Sequence, residues 1–243
     1  TSAVDFRIIN FIGDAPNAGA ATFRTGGQPF GVATNFLPPH WSVEAGRDVQ
    51  IRVFMNGTEP SIASLVVFDT TCTFTANVNY TFFLYGSART TGGVHALVTV
   101  DTLPAPAGVA FRVINLGGAT AGAQDVDIVA QSAVAPLTGT ANFANAASLA
   151  VTSYTNFAVS ATLKAVATAP GTRTPFLYSA NAPAGVAGTS TSNPVAGTNV
   201  AGSAISAVIV PASVVGSTAP QTAAFLAPTV LFMIDKKPAL TAP

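Results

Sequence analysis

Charge is scarce in this chain. Of 243 residues only 8% are Asp, Glu, Lys or Arg, ten of each sign, giving a net charge of +0. Soluble domains usually carry about 25%. No basic patch forms, which argues against nucleic acid as a partner. With few charges to repel one copy from another, self-association is favoured. One cysteine, Cys72, rules out an intramolecular disulfide and reads as a small apolar residue inside a strand. Long apolar runs are also missing. "SAVIVPASVV" and "TVLFMI" fall short of the ~20 residues that a membrane helix needs, so no membrane span is expected. Disorder does not fit either, because hydrophobic residues make up 49% and β-branched residues abound. The opening "TSAVDF" has neither methionine nor a signal pattern, as in an exported protein after removal of its leader.

What is present is a series of short strand-like runs. "VQIRVFMNG" alternates apolar and polar residues and stops at the turn pair Asn56-Gly57. "SLVVFDTTCTFTANVNYTFFLYGSA" reads as two strands with a turn near Ala76 to Asn79, and "HALVTVD" as a third. Helical periodicity is hard to find. "ANFANAASLAV" suggests a turn or two of helix on alanine content alone. The chain is therefore expected to be all-β, with strands spaced as in sandwiches.

The runs occur twice in the same order. "FRIINF" (Phe6 to Phe11) returns as "FRVINL" (Phe111 to Leu116). "VQIRVF", "YTFFLYGSA" and "ALVTVDTLPAP" are matched by "FAVSATL", "ISAVIVPAS" and "TVLFMIDKKPAL". This order predicts two tandem sandwiches, residues 1–104 and 105–243, joined by the stiff connector "DTLPAPAG". Phe6 to Asp101 spans 95 positions and Phe111 to Asp235 spans 124. Most of the excess is expected between Phe157 and Ile205, in a linker-like Ala/Gly/Ser/Thr insertion near 181–204.

The first copy, "FRIINFIGDAPNAG", "FGVATNFLPPHWSVEAGRDVQIRVFMNGT", "YTFFLYGSA", "ALVTVDTLPAP", resembles the bacterial domain-of-unknown-function family 4397. The matching positions are Asn10, Asp14-Ala15-Pro16, Phe30-Gly31, Phe36, Ala45-Gly46, Tyr80-Thr81, Gly86-Ser87-Ala88 and Asp101. The second copy keeps Phe111 to Asn115 and has "DVDI" at Asp125 to Ile128, but lacks Asp-Ala-Pro. The resemblance implies immunoglobulin-like sandwiches on exported proteins at the bacterial surface, and it brings no catalytic residues.

The chemistry-bearing residues are few. His40 and His95 have no metal-ligand spacing and no Gly-x-Ser-x-Gly elbow occurs, so no catalytic, cofactor or metal site is expected. The loop "LPPHW" could display His40 and Trp41 as a binding surface, although a lone tryptophan more often covers a core. Asp125 and Asp127, two apart, share one strand face, read as solvated rather than as a Ca²⁺ site. Arg7 and Arg112 read as outward residues that blunt an edge strand, with Asn10 and Asn115 capping it. The function expected is a non-enzymatic structural protein of the bacterial exterior, self-associating into a filament or surface layer. Thr1 to Asp5, Ala182 to Ser203 and Pro228 to Ile234 are the candidate contact segments. The alternative is an adhesin or glycan-binding module using "LPPHW" and the loop at Gly92-Gly93.

Overall fold

The computed structural model describes residues 3–12, 17–20, 28–29, 41–55, 66–87, 92–117, 122–211 and 228–241. The fold is all-β: among the described residues there are seventeen strands and no helix. The strands fall into two compact units.

The first unit holds β1 (Ala3–Ile12), β2 (Asn17–Ala20), β3 (Gln28–Pro29), β4 (Trp41–Glu44), β5 (Asp48–Met55), β6 (Val66–Thr73), β7 (Tyr80–Gly86) and β8 (Val94–Val100). They make two sheets, β4-β1-β7-β8 and β3-β2-β5-β6. β1 and β7 run parallel, with Phe6 opposite Tyr80, while the other pairs are antiparallel. Successive side chains of a strand point to opposite faces. Val4, Phe6 and Ile8 of β1 therefore share one face. They pack with Phe82 and Leu84 of β7 and, from the other sheet, Ile51 and Val53 of β5. Phe74 joins this layer and stacks on Phe6 at 5.4 Å. The turn expected near Ala76 to Asn79 is present, with Asn77 at φ 61°.

The second unit holds β9 (Val109–Asn115), β10 (Gln124–Ala130), β11 (Phe143–Ala146), β12 (Ala150–Val151), β13 (Thr155–Phe157), β14 (Leu163–Thr168), β15 (Tyr178–Asn181), β16 (Ala204–Val210) and β17 (Thr229–Lys236). Its sheets are β12-β9-β16-β17, with β13 also on β9, and β11-β10-β14-β15. β9 and β16 are again parallel, with Phe111 opposite Ile205. Both are buried at every position, as expected of a parallel pair in the middle of a sheet. Phe111, Val126, Phe143, Ile205 and Phe232 fill the space between the two sheets.

The register is the same in both units. Phe6, Tyr80 and Val100 lie abreast in one, and Phe111, Ile205 and Ile234 in the other. Three details differ from what the sequence suggests. The strand in the place of β5 is β14, so "LKAVAT" and not "FAVSATL" matches "VQIRVF". "ANFANAASLAV" forms β11 and β12 rather than helix; Asn145 and Leu149 take positive φ, which breaks any helical run. The extra length is spread over three segments. Phe6 to Trp41 is 35 positions against 44 from Phe111 to Thr155, Trp41 to Tyr80 is 39 against 50 from Thr155 to Ile205, and Tyr80 to Asp101 is 21 against 30 from Ile205 to Asp235.

The linker-like stretch, residues 182–203, is held by its own unit. Val186 and Val195 bond each other reciprocally at 2.9 Å, and Thr198 and Asn199 donate to Pro183 and Ala184, both at 2.8 Å. Ala182 and Ala196 enter the core. The other two candidate contact segments also have partners within the chain. Ala3 to Asp5 pair with Glu44 to Ser42, and Thr229 to Ile234 complete the sheet beside β16.

Candidate functional site

Each unit buries an arginine on its first strand, on the face opposite the core residues. Arg7 is 1% exposed and Arg112 3% exposed. The edge-guard reading is thereby overturned. β1 and β9 are interior strands, and a charge taken out of water needs an opposite charge and hydrogen bonds. Both arginines find the same kind of partners. Arg7 Nε donates to Thr81 Oγ1 at 2.7 Å, the Thr81 hydroxyl donates to Asp101, and the Arg7 guanidinium lies 3.8 Å from that carboxylate. Thr99 adds a bond to Asp101 at 3.0 Å. In the second unit Arg112 Nε donates to Ser206 Oγ at 2.8 Å, and Ser206 donates to Asp235 Oδ2 at 2.5 Å. Tyr154 donates to the same oxygen at 2.8 Å, and its ring centre lies 5.0 Å from the Arg112 guanidinium. Thr81 and Ser206 hold the same place on the parallel strand, opposite Arg7 and Arg112. The hydroxyl gives its proton to a carboxylate and its oxygen to a guanidinium, so it is tied up as a clamp between strands rather than free to attack a substrate.

Asp125 and Asp127 are also buried, which corrects the solvated-face reading. Val126 and Ile128 point into the core and the two aspartates point the other way, toward backbone of β11 and of neighbouring loops that donates to them. Asp125 accepts from Asn145 N at 2.6 Å and from Gly171 N at 2.9 Å. Asp127 accepts from Asn142 N at 3.1 Å and pairs with both terminal nitrogens of Arg173, at 2.7 and 3.0 Å. Their oxygens face N–H donors, the reverse of a cation site. Among the described residues no three His, Cys, Asp or Glu side chains come together as a metal site.

His95 is exposed on β8, 5.6 Å from the Tyr85 ring. Cys72 lies half-buried on β6 against the first core, and burial pushes its thiol pKa up. Trp41 opens β4 with its backbone opposite Phe6, but its side chain and all of His40 lie outside the described residues. So does the Asn10 side chain. Asn115 caps its strand as expected, accepting from Gly117 N at 3.0 Å and donating to Gly122 O at 2.8 Å. A shallow depression lined by Ala45, Gly46, Thr73, Phe74, Thr75 and Ala76 offers two hydroxyls and no ionisable group.

Tyr178 donates to Gln124, and burial pushes its pKa up to about 12. The folded state thus holds the phenol proton more tightly than the unfolded state, whose tyrosine titrates near the ordinary 10.0. The contribution is fully present below that value and is lost as pH rises to about 12. Denaturant midpoints should fall over that window, and Tyr178→Phe should flatten the fall. An unchanged slope in the variant would assign the alkaline loss to other groups.

A scan against protein-family models and a search of curated proteins found no match to the chain.

Proposed function

We propose that this chain is a tandem pair of immunoglobulin-like sandwiches, residues 1–104 and 105–243, of the kind its motifs resemble, and that it serves as a non-enzymatic structural protein outside a bacterial cell, copies of it joining into a filament or surface layer. The supporting observation is where the scarce polar side chains go. The arginine, hydroxyl and aspartate of each unit's clamp, and Asp125, Asp127 and Arg173, tie strands and loops together. A mechanical role fits such internal fastening, and a chain with few charges fits self-contact.

Native material examined by negative-stain microscopy and by mass in solution tests the reading. Regular filaments or a lattice are expected. Protein that stays monomeric at high concentration, and binds glycans in a way that Trp41→Ala abolishes, would replace it with the adhesin reading.

A further inference from the structure

We draw no further inference here: the strongest candidate, the flank of the first unit along β8, where Val98 and Val100 stand exposed at the register positions that Phe232 and Ile234 bury in the second unit, carries nothing because nothing in the structure shows what covers it.

Discussion

Asp235→Ala is expected to destabilise the second unit by about 3–5 kcal/mol, the usual cost of breaking a buried ion pair from one side. Asp235 is buried and accepts hydrogen bonds from Ser206 and Tyr154, and its other oxygen lies 3.5 Å from Arg112. Removing the carboxylate leaves a guanidinium in the interior without the charge that balances it, and takes the acceptor from two hydroxyls. A domain has only about 5–15 kcal/mol in total, so the loss is a large share. The effect belongs to the half-broken clamp, not to polarity as such. Arg112→Met/Ser206→Ala/Asp235→Leu removes all three polar groups together and should recover most of the stability. Urea denaturation followed by circular dichroism reads both variants. A loss from Asp235→Ala under about 1 kcal/mol, typical of exposed pairs such as Arg47 with Glu44, would show that the clamp is not a main fastening.

The clamps also mark the limit of what the sequence reveals. Strand alternation puts Arg7 on the face opposite Phe6 and Ile8, and it is there. Whether that face meets water depends on where β1 lies in its sheet, and on a hydroxyl 74 positions away. Nothing local encodes either. A signal does exist: the arginines recur with Thr81 and Ser206 on one later strand and with Asp101 and Asp235 at the end of the next. Three polar residues repeated within apolar strands, in the same order, point to one shared network. Asp125 and Asp127 escape the sequence for a related reason. Their strand pattern is right, but the cover comes from the backbone at Asn142 just before β11, at Asn145 within β11 and at Gly171 in the loop after β14.

The long strands β1, β5, β7, β8, β9, β16 and β17 are legible because each alternates or runs apolar over seven or more residues between turn signals. The two- and three-residue strands β12 and β13 are not, since no period can be read in so short a run. Residues 182–203 mislead by their composition. Glycine, serine and threonine suggest a free linker, yet here two glycines serve close backbone contact and two alanines serve the core.

Gly197→Ala should therefore be among the most damaging single-methyl changes in the second unit. A Cβ at Gly197 would stand 2.2 Å from Gly185 N, 2.4 Å from Ala184 C and 2.5 Å from Ala184 O. All three are backbone atoms, so no side chain can swing aside and the two arms of the segment must part. A Cβ on Gly185 would meet the facing backbone closely too, at 2.5 Å from Val195 O. Parting them strains the bonds from Thr198 to Pro183 and from Asn199 to Ala184, and lifts Ala182 and Ala196 away from the cluster that holds Phe232 and Ile234. The expected loss is about 3 kcal/mol, the upper end for forcing a group into a filled space. Gly139→Ala supplies the comparison. Gly139 has φ 73° with nothing within 4 Å of its added Cβ, so that variant carries only left-handed backbone strain, about 1–2 kcal/mol. Denaturation midpoints rank the two, and limited proteolysis within 182–203 reports whether the segment has come loose. Equal losses with an uncut segment would mean that the contact between Gly185 and Gly197 does not hold it down. A larger loss in Gly197→Ala, together with cleavage and new exposure of apolar surface to a hydrophobic dye, would show that the close contact between Gly185 and Gly197 keeps the segment on its core.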